Sequence, residues 1–257
     1  MSTCPERPCK VELAGITKGF RVNGAPLVAL DNVSLHAAAG EFVSIIGPSG
    51  SGKSTLFNII CGLLQPDAGQ VLLDGQAVQG RAGTFGYMPQ KDLLLPWRSV
   101  LGNVVLGPEL RGDDREQSRR EARELLPLFG LEGFADAYPA LLSGGMKQRA
   151  ALLRTFLTHR EVLLLDEPFG ALDALTRVDL QEWLLDIWTK FGKTILFITH
   201  DVDEALFLSD RVYVLTPRPG RVRTVITVPL PRPRRRSLVA APEFAALRAQ
   251  LLQALSA

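Results

Sequence analysis

The chain has 257 residues, of which 46% are hydrophobic and 22% charged, and its formal net charge at pH 7 is +2. This balance is typical of one large globular domain and excludes a disordered chain. The small net charge does not indicate a nucleic-acid partner, and no apolar stretch reaches the roughly 18 to 20 residues of a membrane-spanning helix.

The termini and cysteines exclude further classes. The first ten residues lack the apolar core of a signal peptide, which predicts a cytoplasmic protein. Three cysteines cannot build a disulfide framework, and Cys4 and Cys9 lack the neighbours that a zinc site needs. We expect this pair in a frayed terminus and Cys61 in the core.

Short apolar runs alternate with longer helical patterns, which predicts an α/β architecture. The predicted strands are 41–47, 69–75, 161–167, 194–200 and 211–216. The runs at 42–46, 162–165 and 195–198 are apolar almost throughout, as expected for strands buried on both faces of a parallel sheet. We expect these three runs to form the central sheet.

A charged, helical stretch punctuated by glycine and proline begins at about residue 91 and predicts an inserted helical subdomain, about 91–160. The Pro/Arg-rich segment after about residue 216 predicts an irregular extension with a short strand at 224–228. A final helix is predicted at 242–255, with apolar residues at Phe244, Leu247, Leu251 and Leu252. The basic run 232–236 indicates either a solvated tail or a contact with acidic lipid headgroups.

The stretch "GPSGSGKST" follows the predicted strand at 41–47 and precedes a helical pattern. It fits G-x-x-x-x-G-K-[ST], whose glycines let backbone N–H groups surround a phosphate. A merely flexible loop is the alternative, but the strand–loop–helix context favours a nucleotide triphosphate cradle. The predicted ligand-binding residues are Gly47, Pro48, Ser49, Gly50, Ser51, Gly52, Lys53, Ser54 and Thr55. Lys53 is expected to reach the β- and γ-phosphates, and Ser54 to ligate Mg²⁺.

Two further strands end in polar residues. "VLLLDEP" delivers Asp166 and Glu167 to the end of a buried strand, where we expect a metal contact and polarisation of the attacking water. A helix cap is the alternative. His200 ends another strand and is predicted to be a γ-phosphate contact, with a buried core histidine as the alternative.

A second anion site is predicted in "LLSGGMKQR", which we call the signature segment (141–149). Ser143 as a helix cap, with Gly144 and Gly145 beside it, presents bare amides at a helix start. An unrelated P-loop kinase would leave this segment unexplained.

These motifs, in order, resemble those of an ATP-binding-cassette (ABC) ATPase. The resemblance spans nearly the whole chain up to about residue 220 and rests on Phe20, the cradle, Gln90, the signature segment, "VLLLDEP", "ALD" at 171–173 and His200. It implies a P-loop NTPase core with a mostly parallel sheet, an N-terminal antiparallel β region and an inserted helical subdomain. Residues 1–220 would be the ATPase domain and 221–257 a C-terminal extension.

The resemblance also implies residue roles. Two copies, or one copy and a close relative, pack head to tail, so that ATP with Mg²⁺ is held by the cradle of one and the signature segment of the other. Phe20 stacks on adenine, although many relatives have Tyr there. Gln90 senses Mg²⁺ and the attacking water, Glu167 is the catalytic base and Asp173 contacts the other subunit.

A finer resemblance, carried by 87–107, "DEPFGALDALTR" and "THDVDEAL", is to ATPase subunits of bacterial importers for nitrate, alkanesulfonates or taurine. It implies integral membrane permease subunits, an extracytoplasmic solute-binding protein acting indirectly, and a peripheral position on the cytoplasmic face of the cell membrane. "DLLLPW" is either a docking surface or buried core, with Trp97 and Arg98 as preferred contacts.

The alternative function is a non-transport ABC ATPase acting as an ATP-gated assembly scaffold. Chromosome-organising and DNA-repair clamps need a long coiled coil between the two motifs, and only about 90 residues separate Lys53 from Ser143. The resemblance therefore favours the importer.

Overall fold

The computed structural model describes residues 8–78 and 82–256. Cys4 lies outside the described residues. The chain divides into two compact units, one formed by Gly86–Leu180 and the other by the residues before and after it. The division falls within helix α6, Ala174–Phe191. The sequence-based boundaries at 91, 160 and 220 remain predictions.

The first unit begins with an antiparallel sheet. Its strands are β1 (Cys9–Val22), β2 (Ala25–Ala38), β4 (Ala68–Leu73) and β5 (Gln76–Ala77), in the order β2-β1-β4-β5. Asn23 and Gly24 connect β1 and β2 with positive φ angles of 51° and 81°, which suits the tight twist of a two-residue hairpin. This sheet is the antiparallel β region that the resemblance implied. Cys9 is an ordered member of β1 rather than part of a frayed terminus, so that expectation was wrong.

The same unit contains a mostly parallel sheet with the order β10-β9-β3-β8. Its members are β3 (Phe42–Ile46), β8 (Thr194–Thr199), β9 (Arg211–Leu215) and β10 (Val222–Thr227). Strand β3 is parallel to both β8 and β9, whereas β10 is antiparallel to β9. Every residue of β3 and β8 is buried, as their apolar runs predicted. The carboxyl ends of β3 and β8 therefore meet at one edge, where Ile46 pairs with Thr199.

Of the α-helices in the described part of the chain, three lie wholly in this unit, which also contains part of α6. They are α1 (Lys53–Ile60), α7 (Val202–Leu208) and α8 (Pro242–Ser256). In α8, Phe244 and Leu251 are fully buried, while Leu247 is half-buried and Leu252 is exposed. The buried face of α8 is thus narrower than the four apolar residues predicted, because Leu252 faces solvent.

The basic run at 232–236 is not uniformly a solvated tail, because Arg234 is buried whereas Arg235 and Arg236 are exposed. A contact of this run with acidic lipid headgroups stays a prediction. Arg234 is only 3% exposed. The Arg232 guanidinium lies 4.1 Å from the centroid of the Trp188 ring and forms a 2.7 Å ion pair with Asp210. Arg232 and Arg234 therefore hold this part of the C-terminal segment against its own unit.

Among the described residues, the second unit contains two parallel strands and four whole α-helices. Strands β6 (Gly86–Met88) and β7 (Val162–Asp166) pair in parallel, and the helices are α2 (Val100–Val104), α3 (Leu106–Arg111), α4 (Arg115–Leu125) and α5 (Gly144–Phe156). Strand β6 was not predicted because three residues show no periodicity. A Cβ at Gly86 would lie 2.6 Å from Leu163 Cδ2 and 3.0 Å from Thr158 Oγ1, so a larger residue at this position would have to displace these side chains. Within the described residues, none of the helices combines the length and apolar character of a membrane span.

Candidate nucleotide site

The cradle follows the buried end of β3 and leads into α1. Gly50 and Gly52 have φ angles of 78° and 90°, which L side chains rarely adopt. These conformations turn the chain back on itself, and Gly52 caps α1 without a side chain. The first helical N–H groups therefore face the loop at the positive end of the helix dipole.

Lys53 is bent back over the loop. Its Nζ donates to the carbonyl oxygens of Gly47 at 2.7 Å and Pro48 at 3.0 Å, and it lies 3.4 Å from Ser51 Oγ. The residue is only 8% exposed, whereas Ser49, Gly50 and Ser54 are exposed. A cation held by carbonyls beside exposed glycine amides is a fitting site for a phosphate chain.

The rear of the cradle rests against the turn at 218–220. Gly220 N donates to Ala29 O, and Gly220 O accepts from Asp31 N, both at 2.9 Å. A Cβ at Gly220 would lie 2.0 Å from the Ser51 carbonyl oxygen, so only glycine fits this contact. Sequence reasoning did not connect this turn with the cradle. A lone glycine after a strand gives no signal of a contact 169 positions away in the chain.

Two other predicted residues lie in the first unit. His200 directly follows β8 and is exposed, so it is not a buried core histidine. Because β3 and β8 are adjacent and parallel, His200 and the cradle begin at the same sheet edge. Phe20 lies near the end of β1, pairs with Leu27 across the hairpin and is 37% exposed. An aromatic ring open to solvent can accept a stacked base.

The second unit brings Gln90 and Glu167 together. Gln90 Nε2 donates to Glu167 Oε2 at 3.0 Å. Both residues follow the parallel strands β6 and β7, whose carboxyl ends coincide. Asp166 is the last residue of β7 and is 4% exposed. Glu167 has a φ of 45°, a strained conformation for a residue with a side chain.

The signature segment forms the start of α5, as predicted. Ser143 caps the helix, and its Oγ accepts from Met146 N at 3.3 Å. A cavity of about 300 Å³ adjoins this end, with Ser143, Gly145, Met146 and Arg149 among its lining residues. Burial lowers the pKa of Arg149, and the charge of Asp179 partly offsets that effect. The site is therefore a helix N-terminus with a cation one turn further on.

Asp173 lies just before α6 and is exposed. Its Oδ1 accepts a 3.0 Å hydrogen bond from Thr176 N, which fixes the first turn of α6. Hydrogen bonds from Thr176 hold the pKa of the Asp173 carboxyl below its ordinary range. Asp173 is thus an exposed anion in the same unit as the signature segment.

Comparison with known proteins agrees with this geometry. The family profile described as "ABC transporter" matches residues 30–170. The chain belongs to the ABC transporter family of ATP-binding proteins. This cassette is 47% identical over 249 residues to the taurine import ATP-binding protein TauB of Rhizobium johnstonii, covering 94% of each chain. It is 45% identical to the nitrate import ATP-binding protein NrtD of Synechocystis, covering 86% of this chain and 83% of the relative.

A solved structure resembles the cassette in fold. It is described as the dimeric structure of a post-hydrolysis state of the ATP-binding cassette MJ0796 bound to ADP and Pi. The TM-score is 0.74 at 33% identity, over 85% of this chain and 98% of that one. The α/β fold with an antiparallel region and mostly parallel strands is therefore the fold of ABC cassettes.

The segment 92–98 of the cassette is a rigid loop. Asn103 is fully buried. Its Oδ1 accepts from Leu95 N at 2.7 Å, and its Nδ2 donates to Leu95 O at 3.1 Å. Arg154 on α5 donates to the carbonyls of Asp92 and Leu93. Leu94 is 8% exposed, whereas Leu93 and Trp97 are 57% and 72% exposed. The loop is therefore partly core and partly surface.

Proposed function

We propose that the chain is the ATP-hydrolysing subunit of an importer for a small solute of the nitrate, sulfonate or taurine class. The observation that carries this proposal is the pair of helix N-termini prepared for phosphate, the cradle with Lys53 and the start of α5 with Ser143. In a head-to-tail dimer, each nucleotide would contact the cradle of one chain and the signature segment of the other. Two chains would therefore form two complete sites. The solved relative is dimeric and bound to ADP and Pi, which supports a dimer as the nucleotide-binding form.

In this proposal each predicted residue has a separate task. The cradle and Lys53 bind the phosphates, and Ser143, Gly144 and Gly145 of the second copy bind the γ-phosphate through helix amides. Phe20 stacks on adenine, His200 contacts the γ-phosphate and Asp173 lies at the subunit interface. Ser54, Asp166 and Gln90 would hold Mg²⁺, which neutralises developing charge on the phosphates.

Glu167 is the proposed general base. Its carboxylate accepts from the Gln90 amide, which holds the side chain in a position from which it would orient a water. The strained backbone at Glu167 indicates that the surrounding structure holds this side chain in place for its role. ATP binding favours the closed dimer, and hydrolysis reopens it, because ATP has higher affinity for the closed state.

Glu167→Gln tests the enzymatic part of the proposal. Hydrolysis should fall at least about 100-fold, since general base catalysis contributes that much, while ATP binding persists. Size-exclusion chromatography with ATP and Mg²⁺ should then show a dimer. Lys53→Ala is the control and should remain monomeric because it loses the phosphate contact. Wild-type hydrolysis by Glu167→Gln would refute the assignment.

The importer part requires a membrane partner at the cytoplasmic face. We propose that Leu93 and Trp97 dock onto an integral membrane subunit, since two large apolar side chains stand exposed on a rigid loop. Affinity capture from solubilised membranes should recover a multi-span protein with the wild type and lose it with Leu93→Ser/Trp97→Ala. Leu110→Ala, at an 80% exposed leucine on α3, is the matched control. Recovery of soluble partners only would favour an assembly scaffold.

A further inference from the structure

Asp67 lies in the turn before β4 and holds strand β1 beside Phe20. Its own N–H donates to Thr17 O at 2.8 Å. Its carboxylate accepts from Gly19 N through Oδ2 and from Lys18 Nζ through Oδ1, both at 2.6 Å. Lys18, followed by Gly19, keeps the pKa of the Asp67 carboxyl below its ordinary range. Three successive residues of β1 are therefore attached to one aspartate.

This attachment occurs where the strand pairing is irregular. Lys18 pairs with Leu30, but Gly19 pairs with Val28, so the register of β1 against β2 shifts between the two. The extra residue, Ala29, lies on β2, and beyond the shift the pairing continues in register from Gly19–Val28 through Phe20–Leu27. The short bond from Gly19 N to the Asp67 carboxylate adds a contact from the other side of β1 at this irregular point, one residue before Phe20.

Lys18 lies against the ring itself. Lys18 and Phe20 are two positions apart on the strand and so lie on one face. Lys18 Nζ is over the Phe20 ring, 5.7 Å from its centroid. The Lys18 side chain is 14% exposed, whereas that of Asp67 is 51% exposed. The ammonium is attracted to the ring face, and Asp67 fixes where the ammonium lies.

We propose that Asp67 and Lys18 are positioning residues that fix the Phe20 ring as a platform for the nucleobase of ATP. The inference rests on the proposed stacking of adenine on Phe20. Lys18 occupies one face of the ring, and the other face receives the base. Because Asp67 is half exposed, the Lys18–Asp67 ion pair adds little to folding stability. We therefore assign the pair to placing the Phe20 ring.

Binding of two ligands by the full chain tests the proposal. MgATP carries a base, whereas inorganic tripolyphosphate presents only the phosphates to the cradle. Phe20→Ala should weaken MgATP binding by roughly 5-fold to 150-fold, the equivalent of the 1–3 kcal/mol that stacking on an aromatic contributes. Asp67→Ala should weaken it by roughly threefold to tenfold, a fraction of the stacking effect. Neither substitution should change tripolyphosphate affinity.

Two further variants identify the cause. Asp67→Asn keeps an acceptor for Gly19 N but loses the charge that holds Lys18, and Lys18→Met loses the cation alone. Both should give smaller losses than Asp67→Ala. In a Phe20→Ala background, Asp67→Ala should cause no additional loss, because no ring remains to be positioned.

Three results would overturn the proposal: equal weakening of MgATP and tripolyphosphate by Asp67→Ala, unchanged MgATP affinity in that variant, or the same loss with and without Phe20. Failure of the proposed function has a different signature. In that case the wild type would not bind MgATP, or Lys53→Ala would bind it equally well.

Discussion

At the scale of single residues, two glycines of the cradle share a backbone conformation but differ in surroundings. Both have left-handed φ angles. A Cβ at Gly52 would lie 2.6 Å from Leu30 Cδ2 and 3.0 Å from Ala29 O, whereas one at Gly50 has nothing within 4 Å. Gly50 is therefore required for conformation alone, and Gly52 for conformation and space.

Alanine substitutions at these glycines should separate the two requirements. Gly50→Ala should cost about 1 kcal/mol of unfolding free energy, the conformational cost of a left-handed alanine. Gly52→Ala should lower the free energy of unfolding by about 1–3 kcal/mol more than Gly50→Ala, because strand β2 at Ala29 and Leu30 must also move. Urea unfolding without nucleotide measures both values. Equal losses would show that the contact with Leu30 is soft.

His36 predicts a pH dependence at the same scale. It is 7% exposed on β2 and contacts Arg211 and Tyr213. Burial, and secondly the charge of Arg211, lower the pKa of His36 below its ordinary value of 6.5, while Glu12 acts in the opposite direction. The folded protein thus resists protonation that the unfolded chain accepts.

Stability should therefore fall as the pH decreases below 6.5, and His36 should have no such effect above that value. The free energy of unfolding measured at pH 7 and pH 5 should differ less for His36→Gln than for the wild type. Carboxyl groups contribute equally to both proteins, so the comparison isolates the imidazole. An identical difference in the two proteins would rule His36 out.

At the scale of elements, Arg234 fastens the C-terminal segment to α7. One terminal nitrogen donates to the carbonyls of Leu206, Phe207 and Ser209 at 3.1, 3.1 and 2.7 Å. The other donates to Val228 and Leu230 at 3.2 Å each. Burial lowers the pKa of Arg234 to about 10. The arginine thus caps a helix end that would otherwise leave buried carbonyls without donors.

Arg234→Met should lower the free energy of unfolding by at least about 3 kcal/mol, because several buried carbonyls lose their donor. Arg235→Met is a matched control in the next position, since the Arg235–Asp186 pair is more than half exposed on both sides. The control should change stability by no more than about 0.5 kcal/mol. Similar losses in both variants would contradict the capping role.

At the scale of the whole molecule, the proposed head-to-tail dimer predicts complementation between two inactive proteins. Lys53→Ala destroys the cradle, and Ser143→Arg destroys the signature segment. In a mixed dimer one site combines both defects, and the other combines an intact cradle with an intact signature segment. The symmetry of the dimer thus makes one active site from two inactive chains.

An equimolar mixture should recover about a quarter of wild-type hydrolysis, since half of the dimers are mixed and each has one intact site. Each variant alone should be inactive, and a mixture of Lys53→Ala with itself at doubled concentration is the control. Absence of recovery would contradict shared sites. The experiment needs no membrane partner, so it tests the ATPase separately from the importer.

The sequence alone determined the elements whose signal is local. Apolar runs predicted the buried strands β3, β7 and β8. Glycine spacing predicted the cradle with Lys53, and a capping serine predicted the signature segment at the start of α5. Their signals are local because backbone conformation and burial depend mainly on neighbouring residues. The ABC family followed from the order of these motifs.

Tertiary structure alone decided the contacts between distant segments. Three contacts join residues that share no pattern in the chain: Gly220 against Ser51, Asp67 with Lys18 and Gly19, and buried Arg234 with its carbonyl partners. The burial of Arg234 within a basic run was therefore not predicted, since composition records charge but not which carbonyls surround a side chain. Strand β6 was missed for a related reason, because its three residues depend on the partner strand β7. Such contacts depend on folding to bring the partners together, and no local periodicity marks them.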